Sequence, residues 1–451
     1  MISEAQQSDW FLHHLSQSAG IMPGRGVAWL DALRSDARAA IARLTVLNRK
    51  QEAWRYTSVE PLLQQRFITA GTDIGAFRNL DIRPWILPGM DAFRLVFVNG
   101  RYLPRLSAVD DLPEGVTVGS LRTALSTDPG RLATWFEQQQ GRSDNLFTAL
   151  NSALINDGAL IHIGRHVVLR KPLEIVYLSL DQERSLLVQP RNLVILEAGA
   201  EATLVERFVG SEKTTGFNNH VTGIQLSGGA SLDHYRLQDE SDRTFHLSSI
   251  SLSQLELSRY RCTHLSFGGA WARTDCETLL KQPGAKCELN GLYTVGDGQL
   301  NDFHLRVRHM TPGCTSRERF KGILHGKGRA VFDGHIIVDK DAQQSDAQLR
   351  NDNLMLTRGA EVDTKPQLEI YADNVKCSHG TTVGEIDPAQ IFYLRSRGIA
   401  RTKALSMLSL GFAADISNEI KPEPLRGYVE RRLLQKLGGE PDGDNLSEHH
   451  V

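Results

Sequence analysis

Cysteine is scarce in this sequence. Five residues, Cys262, Cys276, Cys287, Cys314 and Cys377, are scattered over the second half of a 451-residue chain, and no two form a CxxC pair. That spacing argues against a disulfide framework and against a zinc site closed within one short motif. Long apolar runs are missing too: none reaches the roughly 18 residues of a membrane helix. Neither charge dominates. Lys and Arg number 51 against 53 Asp and Glu, a net charge of −2, so no basic excess points to nucleic acid. The N-terminus, "MISEAQQSDWFLHHLSQ", lacks the basic and apolar segments of a secretory signal, and a cytoplasmic protein is expected. Enzyme signatures are also absent. There is no GxxxxGK[ST] phosphate loop, no GxGxxG after a strand, no GxSxG elbow and no HExxH helix. "HGKGR" at 325–329 reads as a turn.

What is present changes texture along the chain. In "GVAWLDALRSDARAAIARLTVL", Trp29, Leu30, Leu33, Ala37, Ile41 and Leu44 recur every three or four positions, one face of an amphipathic helix. "FRLVFVNGRYLP" carries Asn99-Gly100, a hairpin turn signal, and "SLRTALSTDPGRLATWFEQQ" and "NLFTALNSAL" read as short helices. From about residue 158 short apolar alternations take over, punctuated by Gly-Ala pairs at 158, 199, 229, 269, 284 and 359. Over 200 residues of short strands exceed one sandwich, so a β-solenoid such as a β-helix is expected; the rival is two consecutive β-sandwiches. Helices return at the end. Asp387 is the expected N-cap of "DPAQIFYLRSRG", followed by Pro388 and closed by Gly398. A second helix carries the stripe Leu405, Leu408, Phe412, Ile416 and Ile420, and a third begins at Pro424. The expected division is an N-terminal helical domain with a small hairpin (1–157), a β-helix core (158–386), a C-terminal helical domain (387–438) and a disordered tail (439–451).

Three constellations stand out. In "YADNVKCSHGTTVG", Cys377 and His379 are two residues apart, which on a strand puts both on one face about 6.5–7 Å apart. They read either as two ligands of a metal site or as a small buried hydrophobe beside a hydrogen-bonded histidine. No other Cys or His lies within twenty residues, so further ligands must come from distant strands or another chain. A second group, His309, Cys314, His325 and His335, lies around alternating strands in which Phe303, Leu305 and Val307 face a core. Its histidines fall mostly at solvent-side or turn positions, and the plainer reading is a polar sheet face. The third is "WRYT" at 54–57, read as core packing over a docking surface.

Residues 361–399, "EVDTKPQLEIYADNVKCSHGTTVGEIDPAQIFYLRSRGI", closely resemble the signature of the SufB/SufD family of the Suf iron–sulfur cluster assembly system. "RKQEAWRYT" (49–57), "FRLVFVNGRYLP" (93–104), "GRAVFDGHIIV" (328–338) and "NDNLML" (351–356) agree in order. Two features resemble the SufD branch. SufB usually carries a Glu-His-Glu stretch where this chain has "KCSHG", and a cysteine where Leu394 stands. The resemblance implies a right-handed parallel β-helix flanked by helical domains. It implies a non-ATPase scaffold subunit of a SufBCD complex that pairs with SufB, or with a second copy when isolated, and docks the SufC ATPase. An iron–sulfur cluster or iron would be shared with SufB, with His379 as this chain's ligand and Cys377 beside it. Pro366, Asp387, Phe392, Tyr393 and Arg397 would lie on the ATPase-docking side. The family's complex is associated with reduced flavin, although no flavin motif stands in the sequence. A metal-free structural adaptor and a carbohydrate-active β-helix are the alternatives; the 7% aromatic content and missing export signal count against the latter.

Overall fold

The computed structural model describes residues 3–17, 22–43, 47, 50–69, 75–138 and 145–438. The expected tail at 439–451 and Leu44 of the helical stripe lie outside the described residues. The N-terminal part contains helices α1 (Glu4–Gln17), α2 (Ala28–Arg43), α3 (Glu60–Leu63), α4 (Leu121–Thr127), α5 (Pro129–Gln138) and α6 (Leu146–Ala153). Among them run strands β1 (Ile68–Thr69), β2 (Phe93–Val98), β3 (Arg101–Tyr102) and β4 (Val116–Ser120). Strands β2 and β3 form the expected hairpin, with Asn99 (φ 46°) and Gly100 (φ 76°) both left-handed as a two-residue type I′ turn requires.

A β-solenoid of about eight turns follows. Its first strands are β5 (Ala159–Ile163), β6 (Leu173–Ser179), β7 (Leu186–Val188), β8 (Arg191–Leu196), β9 (Glu201–Gly210) and β10 (Gly216–Leu226). The middle ones are β11 (Ser231–Asp239), β12 (Thr244–Gln254), β13 (Arg259–Ser266), β14 (Trp271–Leu280), β15 (Lys286–Val295) and β16 (Leu300–His309). The last are β17 (Thr315–Leu324), β18 (Arg329–Val338), β19 (Asp346–Met355), β20 (Glu361–Ile370) and β21 (Lys376–Glu385). They form two sheets. One runs β20-β18-β16-β14-β12-β10-β8-β5-β4, the other β21-β19-β17-β15-β13-β11-β9-β6-β2-β3. Pairing between successive solenoid turns is parallel, which removes the antiparallel sandwich rival. The pitch varies: Phe245 pairs with Trp271 but Leu160 pairs with Leu193. That irregularity hides the repeat from a fixed-period search. The turns demand glycine where strands crowd. At Gly158 (φ 150°) a Cβ would fall 2.0 Å from Arg191 O.

Alternation sorts the side chains. In β16, Phe303, Leu305 and Val307 fill the lumen while Arg306 and Arg308 are exposed. The lumen also holds a buried charged network. Glu206 accepts hydrogen bonds from Arg236 Nε (2.7 Å), His234 Nε2 (3.0 Å) and Asn192 Nδ2 (3.0 Å). Burial pushes the Glu206 carboxyl up, but Arg236 and His234 together hold it far below the usual range. The N-terminal helices pack on the outer face of the first sheet, over Leu187, Phe217, Leu247 and Trp271.

The C-terminal helices are α7 (Pro388–Ser396), α8 (Arg401–Ser417) and α9 (Glu423–Lys436). Asp387 caps α7, its Oδ1 accepting from Ala389 N at 2.9 Å. The stripe expected on α8 is corrected in part: Ile416 and Ile420 are buried as expected. Leu405, Leu408 and Phe412 are only half-buried, and Ala404, Ser406, Ser409, Ala413, Ile416 and Ser417 form the buried face. Small side chains fill the buried face of the first part of α8, where hydrophobicity alone misplaces it. Five ion pairs fix α8, α9 and their connection to the second sheet: Lys421–Asp233 (2.5 Å), Arg319–Glu419 (2.5 Å), Lys321–Asp415 (2.5 Å), Arg432–Asp239 (2.8 Å) and Lys436–Asp242 (3.1 Å).

Candidate functional site

The two ends of the solenoid differ. Strands β2 to β4 pair onto the first turn, whereas among the described residues β20 and β21 end their sheets with no further strand. The last rung is therefore a double edge, rich in unpaired backbone groups. Which groups face outward follows from the bonds made inward. Glu361 N donates to Gly328 O (3.0 Å) and Tyr371 N to Val338 O (2.9 Å), so odd residues of β20 point their N–H groups toward β18. The even row faces the open edge, and Pro366 sits in it without a donor. In β21, Lys376 N donates to Ser345 O (2.9 Å), so Cys377, His379, Thr381, Val383 and Glu385 turn their N–H groups outward.

Side chains follow the same parity. Cys377 pairs with Ala347 and His379 with Leu349, and both partners face the lumen. Cys377 and His379 therefore share the lumen side at the open mouth. Cys377 is half-buried against the core, and its burial pushes the thiol up. The strand placed the pair as the two-residue spacing requires, but gave its members different surroundings: His379 is exposed. Thr381 and Val383 continue the row, a continuation legible from parity in "KCSHGTTV". Among the described residues, no group of three or more His, Cys, Asp and Glu is close enough to hold a metal ion. Two donors at a mouth fit half of a site.

The second constellation disperses. His309 is fully buried, contrary to its expected solvent-side or turn setting, because β16 alternation carries it into the lumen; its Nε2 lies 3.0 Å from Ser316 Oγ. His335 pairs with Glu369 on the outer wall (2.9 Å), His325 is half-buried, and the buried Cys314 thiol donates to Gln282 O (3.4 Å). The remaining cysteines lie in the lumen, where burial pushes the Cys276 thiol up to about 12, so they are protonated and unreactive. Sequence reasoning missed the charged groups of the lumen, both the Glu206 network and Glu318, the latter signalled by parity with Phe320.

Of the other expected residues, Pro366 lies in the last rung, while Asp387, Phe392, Tyr393 and Arg397 lie on or beside α7. No side chain of α7 is buried, and Phe392 is 75% exposed. Tyr393 is also exposed, with the Arg397 guanidinium 5.1 Å from its ring centre. Residues 388–410 carry Arg395, Arg397, Arg401 and Lys403 and no acid. This face is apolar and basic.

Comparison with known proteins decides the family. The SufBD core domain of the SUF iron–sulfur cluster assembly system matches residues 178–412, and the SufBD N-terminal region matches 5–175. The chain belongs to the SufB/SufD family. It is 34% identical over 401 residues to the iron–sulfur cluster assembly protein SufD of Escherichia coli, covering 88% of this chain and 91% of that one. It is 31% identical over 409 residues to a SufBD family protein of Synechocystis, covering 88% and 89%. It is 27% identical over 445 residues to the chloroplastic protein ABCI7 of Arabidopsis thaliana, covering 96% and 92%. Iron–sulfur cluster assembly is the family's setting, and no described helix is long and apolar enough to cross a membrane.

Proposed function

We propose that this chain is a cytoplasmic, non-ATPase scaffold subunit of a SufBCD-type complex, and that its open rung is half of a cluster-assembly site. The uncapped end carries the reading: β21 offers an outward row of backbone donors while aiming His379 into the mouth. A SufB-type partner adding strands there would satisfy those donors and bring the missing ligands. His379 then binds iron or the nascent cluster through a neutral imidazole nitrogen. Cys377 contributes as thiolate only after losing a proton that burial holds on the sulfur.

The apolar, basic face of α7 docks a SufC-type ATPase. Pro366 belongs to the same rung as His379, so it links the docking reading to the mouth. Because ion pairs and packing join α8 and α9 to the solenoid wall, movement of the ATPase would be carried to the rung by stiff elements. Such couplings need only about 1–3 kcal/mol.

The test is His379→Ala in the co-expressed three-component complex, with iron and acid-labile sulfide measured after reconstitution. The complex should assemble normally by size-exclusion chromatography and lose its cluster. An unchanged cluster yield would refute the ligand role and leave a metal-free adaptor, or a homodimer of this chain, as the better reading.

A further inference from the structure

The motif "RKQEAWRYT" plays no part in the site above, yet the structure gives its described residues a long reach. Residues Glu52–Trp54 form one 3₁₀ turn laid on the outer wall of the first sheet. Trp54 is buried there. Its ring lies nearly parallel to that of Trp271 (9°, centroids 6.4 Å apart), and the Arg273 guanidinium sits 4.0 Å from its centre. Arg273 Nη1 also donates to Ala53 O (2.8 Å) and to Asp302 Oδ2 (2.9 Å). Thr57 Oγ1 donates to the same Asp302 oxygen (2.5 Å). On the same strand His304 bonds Asp302 (2.9 Å) and faces Asp333 one rung further (3.9 Å). Asp333 lies 3.8 Å from Lys365 Nζ, and Lys365 pairs with Glu52. The segment thus holds β14, β16 and β20 at once.

We infer that residues 52–57 form a strap that positions the terminal strand β20, with Trp54 and Thr57 as its anchor and Glu52 as its latch. Two features argue for this. First, an edge strand is bonded on one side only, and β20 is paired with β18 alone at its inner flank. A second support on its outer face restrains the fraying that edge strands show. Second, the latch falls on Lys365, adjacent to Pro366, the residue that interrupts the outward donor row. The strap therefore fixes the stretch of edge with the fewest bonds available to hold a partner. The anchor is a charge-assisted, desolvated arrangement, and the latch is an exposed pair. The anchor carries most of the energy and the latch sets the position.

The role in docking rests on the proposed function, whereas the strap itself does not. Hydrogen exchange on the full chain, read by mass spectrometry, separates them. Glu52→Gln should speed exchange of peptide 361–370 about two- to fivefold, the range of one exposed ion pair. Trp54→Ala should speed it roughly tenfold or more, with Trp54→Phe restoring most of the protection. Peptide 376–385, on the other sheet, should change less in every variant. Unchanged exchange at 361–370 in Trp54→Ala overturns the strap. So does equal acceleration of all solenoid peptides, which marks general destabilisation. Affinity for a purified SufB-type partner, measured on Glu52→Gln, is the second arm. Faster exchange with unchanged affinity leaves the strap standing and removes its part in docking.

Discussion

Glu318 offers the sharpest test of the lumen. It is 1% exposed, and neither carboxyl oxygen has a hydrogen-bond partner among the described residues. Its neighbours in the inward file are Leu289 below and Leu349 above. Burial pushes the carboxyl from an ordinary 4.5 up to about 8, against smaller opposing pulls from Ser316 and Arg317. At neutral pH the folded chain therefore keeps a proton that the unfolded chain releases. Between pH 4.5 and 8 the folded state binds more protons, so stability falls as pH rises, by about 1.4 kcal/mol per unit. Glu318→Leu continues the leucine file and removes this penalty. Its advantage over wild type should grow from its value near pH 4.5 by about 3 kcal/mol at pH 7 and about 5 kcal/mol above pH 8. Taking the difference cancels other titrations, such as that of His309, which burial lowers to about 4 and which costs stability on the acid side. The assay is urea unfolding of both chains at half-unit pH steps from 5 to 9. A difference curve flat across that range would show that the carboxyl is solvated, and the closed lumen deduced from the parity of β17 would be wrong.

Two further outcomes follow from the same geometry. Glu206→Gln strands the Arg236 charge in the lumen and should cost roughly 3–5 kcal/mol in urea unfolding; replacing Glu206 and Arg236 together by leucine should cost less than the single change. Phe392→Ala should leave stability within about 0.5 kcal/mol, because the ring is 75% exposed, yet weaken binding of a SufC-type ATPase by tenfold or more in titration calorimetry.

Local chemistry was the most legible part of this sequence. Asn99-Gly100 specifies its turn through two left-handed residues, and Asp387 caps its helix through one side-chain bond; neither needs distant context. Alternation likewise identified strands, and the Gly-Ala punctuation suggested stacked turns. The structure supplied what these signals lack. Pairing direction is a relation between strands about thirty residues apart, and parallel stacking alone distinguishes the solenoid from two sandwiches. On α8 the stripe located Ile416 and Ile420 but missed Ala404, Ser406, Ser409 and Ala413, because small buried side chains carry little apolar signal. Glu318 was missed because a carboxylate within an alternating polar-rich strand reads as outward despite its parity with Phe320; register with Leu289 and Leu349 confirms that it lies inside.

The candidate site shows the same division. The two-residue spacing of Cys377 and His379 fixes that they share a face. It does not fix which face, and the consequences are opposite. On the outer wall the pair would be two exposed groups with no enclosing partner. On the lumen side it crowns a file that descends from His379 through Leu349, Glu318, Leu289, Cys262 and His234. At any inner rung such a position is roofed by the next turn. At the last rung nothing among the described residues roofs it, so the same backbone rule that buries Leu349 leaves His379 open. Exposure of a lumen-facing histidine is thus produced by where the solenoid stops. A second solenoid end placed against this one would enclose that histidine without altering the fold of either chain.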